Sequence, residues 1–226
     1  MTARIVAIVP VKPLATAKSR LAPMLPLLER QALVLFCLYR VLQALQEAAA
    51  VNEWVVIGRD EAVQRLAREM GAGWIEDPGW DLNESIRQGF AWAFAHGAQA
   101  CLFLPADLPL LAAEAVDGLV ERSDGLSHLV LSPAHDGGTN AILAPQGVPF
   151  QPRMGEGSFT RHLAEAQQRG AAVEVYASPG LALDIDTPHD LRQLQERLST
   201  LDAELEEWRV FLADVGASRW IGTPLP

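Results

Sequence analysis

Positive charge is concentrated in one loop near the N-terminus, VPVKPLATAKSRLAP at positions 9–23, which we call the basic loop. It holds Lys12 and Lys18, the only two lysines among the 18 basic residues of the chain, together with Arg20. Lysine binds phosphate as a compact point charge, whereas arginine binds it through a planar fork. Because the rest of the chain uses arginine, the two retained lysines favour an anionic ligand over an ordinary solvated surface loop.

Three carboxylates follow apolar segments and have the spacing of a metal site. Asp107 comes two residues after the run CLFLP, and Asp184 and Asp186 lie two residues apart in DIDTPHDL, where an extended backbone points both to one side. Two such carboxylates repel each other unless a cation lies between them, and Mg²⁺ takes one or two carboxylates when phosphates supply the remaining ligands. The alternatives are a turn or helix cap at Asp107, and a helix cap at Asp186 with Pro188 in the first turn. On that helix, we expect Asp190 to be solvated.

Two glycine-containing segments resemble anion sites. AHDGGTNA holds Gly137 and Gly138, which let backbone N–H groups approach a ligand closely, and MGEGSFTRH opens a helix at Ser158. An ordinary turn and an ordinary serine cap remain open as alternatives. None of the five histidines forms a metal pattern such as HExxH. His162, one helical turn after Ser158, and His135 are the two that merit testing.

Strand-like and helix-like segments alternate along the chain, which predicts an α/β domain with a largely parallel sheet. Apolar, β-branched runs predict strands at 4–10, 53–58, 73–77, 99–105, 127–133, 139–145 and 171–177. Helix-like segments predict helices at 27–49, 60–71, 81–97, 112–123, 158–170 and 186–216, of which 27–49 has no Gly or Pro. Ligands of open α/β sheets bind at the carboxyl ends of strands, so we expect the loops described above to meet at one edge.

Composition narrows the class of protein. The net charge of −10 argues against a nucleic-acid binder, and no apolar run reaches the ~18 residues of a membrane span. Cys37 and Cys101 lie in apolar runs and are expected to be buried and unpaired, as suits a reducing compartment. We therefore expect a soluble cytoplasmic protein.

The chain length fits one domain with an appendage. We place the domain at 1–198 and assign 199–226 to an acidic helix and tail that ends in GASRWIGTPLP. The Trp and Ile near its end suggest that this tail packs on the domain or on a second subunit, which makes a homodimer one possible assembly.

Six motifs occur together in one order: VPVKPLATAKSRLAP, LNESIRQG, LPADLPLL, GGTNAI, GSFTRH and DIDTPHDL. The set resembles the 2-phospho-L-lactate and phosphoenolpyruvate guanylyltransferases of coenzyme F420 biosynthesis, over roughly residues 4–198. The resemblance implies the nucleotidyltransferase fold, a Rossmann-like mixed sheet flanked by helices. It also implies transfer of GMP from GTP to a phosphorylated three-carbon acid with release of pyrophosphate. The acid would be 2-phospho-L-lactate, phosphoenolpyruvate or 3-phosphoglycerate.

The resemblance also implies roles for individual residues. The catalytic residues would be Lys18, Arg20 and Asp107, and Mg²⁺ would be the cofactor. The metal ligands would be Asp107, Asp184 and Asp186. The acid would be bound by Thr139, Gly155 and Ser158. The nucleotide would be bound by Val11, Lys12, Lys18, Arg20, Asn83 and Pro105.

The chain departs from the family pattern beside the predicted acid pocket. Met154 stands where an aromatic residue is expected, and Glu156 stands where proline is expected, so the sequence leaves the identity of the acid open. One alternative is a related nucleotidyltransferase that acts on molybdenum cofactor or a sugar phosphate. Such enzymes usually carry a glycine-rich first loop, and the basic loop has no glycine. A second alternative is a non-catalytic nucleotide-binding protein, against which the three aspartates argue.

Overall fold

The computed structural model describes residues 3–200, and it describes the side chains of residues 3–198. The strands are β1 Ile5–Pro10, β2 Glu53–Gly58, β3 Gly73–Glu76, β4 Ala100–Phe103, β5 Leu129–Pro133, β6 Thr139–Pro145 and β7 Val173–Val175. The helices are α1 Leu27–Glu47, α2 Glu61–Glu69, α3 Leu82–Ala95, α4 Ala113–Glu121, α5 Ser158–Gln168, α6 Pro179–Ala182 and α7 Pro188–Thr200. Within residues 3–200 every predicted strand and helix is present, and the ends that fall in this range are shifted by a few residues at most.

Three short elements were not predicted: α6 and two 3-10 helical turns within the basic loop, Leu14–Thr16 and Ser19–Leu21. Each is three or four residues long, which is too short for hydrophobic periodicity to reveal. The helix predicted to begin at residue 186 begins at Pro188. Its predicted continuation to 216 and the proposed C-terminal tail lie outside the described residues from 201 onward.

The seven strands form one mixed sheet in the order β3-β2-β1-β4-β6-β5-β7. β6 runs antiparallel to both of its neighbours, β4 and β5, while the other neighbouring pairs are parallel. The predicted α/β class with a largely parallel sheet is therefore confirmed. The reversed direction of β6 brings its first residues, and not its last, to the edge where β1, β4 and β5 end.

The uninterrupted apolar run of β1 is explained by burial on both faces of the sheet. Ile5, Ala7 and Val9 pack into one cluster with α1, α2 and α4. Val6 and Ile8 pack into a second cluster with α3 and α5 on the opposite face. Side chains alternate between the faces of a strand, so a strand covered by helices on both sides is apolar at every position.

A third cluster lies beside α1 and joins distant parts of the chain. It contains Leu21 of the basic loop, Cys37 of α1, Ile185, and Leu191 and Leu194 of α7. The fully buried Leu21 and Ile185 are each within two residues of a polar residue that the sequence analysis singled out. This packing holds the basic loop against the segment that carries Asp184 and Asp186.

Candidate active site

A cavity of about 440 Å³ opens at the edge of the sheet where β1, β4 and β5 end and β6 begins. Five segments supply most of its lining: the basic loop, the loop after β4, the β5–β6 turn with the start of β6, the turn into α5 and the segment before α7. All but one of the residues predicted to form the site line it: Val11, Lys12, Lys18, Arg20, Pro105, Asp107, Thr139, Gly155, Ser158, Asp184 and Asp186. The loops therefore lie together at one edge of the sheet, as predicted.

Lys18 lies between two aspartates at the base of this cavity. Its ammonium group donates a short hydrogen bond to Oδ2 of Asp107 and another, 2.8 Å long, to Oδ1 of Asp186. Only 8% of the Lys18 side chain is exposed. Burial alone would lower the pKa of Lys18, but Asp107 and then Asp186 outweigh that effect and raise the pKa above its ordinary value. Lys18 is therefore a fixed positive charge at neutral pH.

The backbone at Lys18 adopts a left-handed conformation, with φ of 45° and ψ of 48°. Residues other than glycine rarely adopt this conformation, which costs of the order of 1 kcal/mol or more. The strain is held by neighbouring contacts: Leu21 N–H donates to the Lys18 carbonyl at 2.9 Å, and Arg30 of α1 donates to the Ala17 carbonyl at 2.6 Å. The loop is thereby fixed in the form that turns Lys18 inward.

Asp107, Asp184 and Asp186, the acidic cluster, each bring a carboxylate oxygen within 4.8 Å of the others. Oδ1 of Asp107 is buried and has no hydrogen-bond partner. Burial first, and then the charge of Asp107, raises the pKa of Asp184 to about 6. Burial also acts to raise the pKa of Asp186, but Lys18 outweighs it and lowers that pKa below its ordinary value. An unpartnered buried oxygen among crowded carboxylates is the donor set that a hard divalent cation such as Mg²⁺ fits.

Two polar residues that the sequence analysis did not single out lie near the acidic cluster, and one of them, Asn140, holds Asp184 by a hydrogen bond. Asn140 is 5% exposed and donates from Nδ2 to Oδ1 of Asp184 at 3.0 Å and to the Leu181 carbonyl at 2.9 Å. Asp136 lines the cavity and accepts from Gly138 N–H at 2.8 Å. A polar residue at the start of an otherwise apolar strand was the available signal for Asn140.

The interpretation of Asp190 as a solvated helix residue was wrong, because it is 3% exposed. Its Oδ2 accepts from the N–H groups of Asp186 and Thr187, at 2.9 and 2.6 Å, and from the Thr187 hydroxyl at 2.9 Å. Its Oδ1 accepts from Nε2 of His135 at 3.0 Å. Since α7 begins at Pro188, the residue at the helix cap is Thr187 and not Asp186. The Asp186 carboxylate is consequently not used as a helix cap, and Asp186 lines the cavity.

Lys12 and Arg20 are exposed at the mouth of the cavity. Neither side chain forms a hydrogen bond or an ion pair within the described part of the chain, although both charges help to lower the pKa of Asp186. A cation without a fixed partner beside a cavity can meet the charge of an incoming anion without first breaking a contact. This arrangement suits the phosphate-binding interpretation of the basic loop.

Another part of the cavity lining carries Thr139 at the start of β6 and Ser158 at the start of α5, which we call the hydroxyl pair. Both side chains are buried, and their hydroxyl oxygens lie 3.1 Å apart. Gly155, with φ of 129°, and Gly157, with φ of 63°, shape the turn that leads into α5. Hydroxyls beside the N-terminus of a helix favour a carboxylate or phosphate at this end.

Asn83, predicted to help bind the nucleoside, is the one predicted site residue outside the cavity lining. Its Oδ1 accepts from Met154 N–H at 2.6 Å, and its Nδ2 donates to the Met154 carbonyl at 3.5 Å. Met154 lines the cavity, while Glu156 is exposed and does not. Of the two departures from the family pattern, Met154 is therefore the one that contributes to the cavity lining.

The family model described as "Guanylyl transferase CofC like" matches residues 5–200. The chain belongs to this family. The family resemblance and the class of enzyme predicted from the motifs are thereby confirmed. This outcome also disfavours the molybdenum-cofactor, sugar-phosphate and non-catalytic alternatives.

Curated relatives carry the names of three acceptors. A phosphoenolpyruvate guanylyltransferase of Sphaerobacter thermophilus is 41% identical over 189 residues, which cover 84% of this chain and 91% of the relative. A 2-phospho-L-lactate guanylyltransferase of Methanothermobacter thermautotrophicus is 36% identical, with 83% and 82% covered. A 3-phospho-D-glycerate guanylyltransferase of Phenylobacterium zucineum is 38% identical, with 77% and 82% covered.

Solved structures support the fold. A protein from Desulfovibrio desulfuricans described as a "putative nucleotide-diphospho-sugar transferase" superposes with a TM-score of 0.77 at 17% identity, with 95% of this chain and 96% of that chain covered. At this identity the likeness establishes the architecture alone. Among the described residues, the helices are too short or too polar to cross a bilayer.

Proposed function

We propose that this protein transfers the guanylyl group of GTP to the phosphate of a phosphorylated three-carbon acid, releasing pyrophosphate, as a step of coenzyme F420 biosynthesis. The observation that carries the proposal is one cavity with two anion-binding walls. The acidic cluster, Lys18 and the free cations of the basic loop form one wall, and the hydroxyl pair at the start of α5 forms the other. Two anionic substrates can therefore be held side by side.

The acidic cluster would hold Mg²⁺, with Asp107, Asp184 and Asp186 as its ligands. Bound there, the ion would neutralise phosphate oxygens of both substrates and polarise the reacting phosphorus. The vacant Oδ1 of Asp107 provides a ligand atom without breaking any contact. Lys18 donates hydrogen bonds to Oδ2 of Asp107 and Oδ1 of Asp186. When Mg²⁺ binds, the Lys18 ammonium group must therefore share these oxygens with the ion or turn toward the phosphates.

In the proposed reaction a phosphate oxygen of the acid attacks the α-phosphorus of GTP. A new P–O bond forms as the bond to the β-phosphate oxygen breaks, and pyrophosphate leaves with that electron pair. The attacking oxygen is already ionised at neutral pH, so no side chain has to remove a proton. The protein contributes position and charge: Lys12, Lys18 and Arg20 face the triphosphate, and the hydroxyl pair orients the acid's carboxylate.

The proposal further assigns Val11 and Pro105 to the nucleotide part of the cavity, which they line. Asn83 would act on the nucleotide indirectly, through the Met154 backbone that it holds. Gly155 would meet the acid, since it lines the cavity beside Ser158. Three relatives with similar identity differ in their named acids, so the acceptor of this chain is to be fixed by measurement.

The test is pyrophosphate release with Mg²⁺ and GTP, with 2-phospho-L-lactate, phosphoenolpyruvate or 3-phosphoglycerate added singly and a control without acid. We expect release with one of the three acids, and none after GTP is replaced by ATP. Lys18→Met should lower kcat by about 10²–10³, the usual loss when one preorganised charge donor is removed. Release that is independent of every acid, or absent with all three, would contradict the proposal.

A further inference from the structure

His162 is a fully buried residue of α5 that connects the hydroxyl pair to a cavity loop. Its Nδ1 lies 3.0 Å from Oγ1 of Thr139. Its Nε2 lies 2.8 Å from the backbone nitrogen of Arg153. Phe150 packs edge-on against the imidazole, with the ring centroids 5.4 Å apart. The ring is therefore held by two hydrogen bonds and one aromatic contact.

These contacts determine which nitrogen of His162 carries the proton. A backbone N–H can only donate, so Nε2 must accept from Arg153 with its lone pair. A neutral imidazole then carries its single hydrogen on Nδ1, which donates to Oγ1 of Thr139. Burial first, and then the charge of Arg161, lowers the pKa of His162 to about 4, so the neutral ring is the form present at pH 7.

This tautomer controls how many protons the hydroxyl pair can offer to the cavity. Thr139 and Ser158 have one hydroxyl hydrogen each and share one hydrogen bond, which uses one of the two. With His162 donating to Thr139, the other hydrogen stays available, and within residues 3–198 neither hydroxyl has a further partner. If Nδ1 accepted instead, Thr139 would donate to His162, Ser158 would donate to Thr139, and no hydrogen would remain.

We propose that His162 is a positioning residue that keeps one hydroxyl proton of the Thr139–Ser158 pair available to the carboxylate of the acid acceptor. The inference rests on the proposed function, since it assigns the acid to this wall of the cavity. The same ring also holds the Arg153 backbone, which leads into the cavity residues Met154 and Gly155. One buried imidazole thus fixes both the donor and the loop beside it.

Two substitutions separate the two hydrogen bonds of His162. His162→Asn keeps an amide donor near the position of Nδ1, and His162→Gln keeps an acceptor near the position of Nε2. We expect His162→Gln to raise KM for the acid about tenfold or more, because a hydrogen bond to a charged group is lost. His162→Asn should raise it much less, and KM for GTP should stay unchanged in both. Phe150→Leu is the matched control, since it alters ring packing but neither hydrogen bond, and should leave both KM values unchanged.

The tautomer is tested directly in the wild-type protein by ¹⁵N NMR of the histidine side chains at pH 7. We expect His162 to carry its proton on Nδ1 alone; a proton on Nε2, or on both nitrogens, would overturn the inference. So would an acid KM that is unchanged in both His162 variants while wild-type turnover depends on the acid. If wild-type turnover does not depend on any acid, the proposed function fails, and the carboxylate role of His162 fails with it. The NMR result separates that failure from a wrong tautomer.

Discussion

Asp190 lies outside the cavity lining, yet it determines where Asp186 points. Its two carboxylate oxygens accept four hydrogen bonds, from the backbone of Asp186, from the backbone and hydroxyl of Thr187, and from His135. Mutation of a residue that orients a metal ligand typically lowers metal affinity by about 10–100-fold. We therefore expect Asp190 to act as a positioning residue for Asp186, the proposed Mg²⁺ ligand.

Asp190→Asn should weaken Mg²⁺ binding by about 10–100-fold, since one oxygen is replaced by a donor that faces backbone N–H groups. The measurement is titration calorimetry of Mg²⁺ with a non-hydrolysable GTP analogue. Asp81→Asn is the matched control, because Asp81 also accepts from a backbone N–H at the start of a helix, that of Glu84 at 2.9 Å, but does not line the cavity. Equal Mg²⁺ affinities in wild type and Asp190→Asn would show that Asp190 stabilises α7 only.

Single residues were predictable where their neighbours in sequence revealed their position. Asp107 follows a strand-like apolar run, Asp186 belongs to a closely spaced pair of aspartates, and Lys18 is one of two lysines in a chain that otherwise uses arginine. Local sequence was therefore enough to select these three residues. Asn140 acts through a contact to Asp184, 44 positions away, and no local pattern encodes such a partner. Asp190 instead bonds mainly to Asp186 and Thr187, four and three positions before it, and Thr-x-x-Asp is a helix-start pattern that the sequence contains. The partner of Asn140 was therefore visible only in the folded chain, whereas the role of Asp190 could have been predicted from the sequence.

At the scale of elements, the direction of β6 decides which residues reach the cavity. Thr139 and Asn140 are the first residues of this strand, whereas Val11, Pro105 and Ala134 reach the cavity from just after the ends of β1, β4 and β5. The turn between β5 and β6 spans only residues 134–138, and a parallel connection needs a crossover of a dozen or more residues. The antiparallel pairing could thus have been derived from the sequence by loop length. The rule that ligands bind after strands does not by itself select Thr139.

The four-residue helix α6 approaches the loop after β4 more closely than a side chain permits. A Cβ on Gly180 would lie 2.5 Å from the Leu110 carbonyl oxygen, a backbone atom that cannot turn away. Gly180→Ala should therefore lower the free energy of unfolding by about 1–3 kcal/mol, as overpacking usually does. It should also weaken Mg²⁺ binding, because α6 leads directly to Asp184. Urea denaturation and Mg²⁺ titration measure the two effects.

The matched control is Gly118→Ala in α4, where the added Cβ meets the end of the Tyr176 side chain. A flexible side chain can move, and alanine favours a helix by about 1 kcal/mol over glycine, so we expect little loss of stability. If the two variants were equally stable and bound Mg²⁺ equally well, close packing of α6 would not be what places Asp184.

At the scale of the whole molecule, an acidic protein is proposed to bind two acidic substrates. The net charge of −10 repels anions at a distance, and the acidic cluster adds three carboxylates inside the cavity itself. Lys18, Lys12, Arg20 and a bound divalent cation must reverse this field locally. Folding stability and cation binding are consequently linked, because the folded chain crowds charges that the unfolded chain keeps apart.

Saturating Mg²⁺ should raise the Tm by about 5–10 °C, since binding at a hundredfold excess over Kd stabilises by about 2.7 kcal/mol. NaCl at equal ionic strength is the control, because it screens the net charge without entering the cluster. Asp107→Asn should reduce the shift, and Lys18→Met should enlarge it by removing the cation that occupies Asp107 and Asp186. Equal shifts with NaCl and Mg²⁺ would show general screening and no bound ion.

The contacts of Lys18 also have a consequence for the order in which the protein is made. Lys18 pairs with one aspartate 89 residues later in the chain and with another 168 residues later. During synthesis from the N-terminus, the strained loop around Lys18 emerges long before either partner exists. The site is incomplete in a nascent chain in which Asp186 has not yet been synthesised. We therefore expect nucleotide binding to begin only once the chain has been made as far as Asp186 and has folded around it.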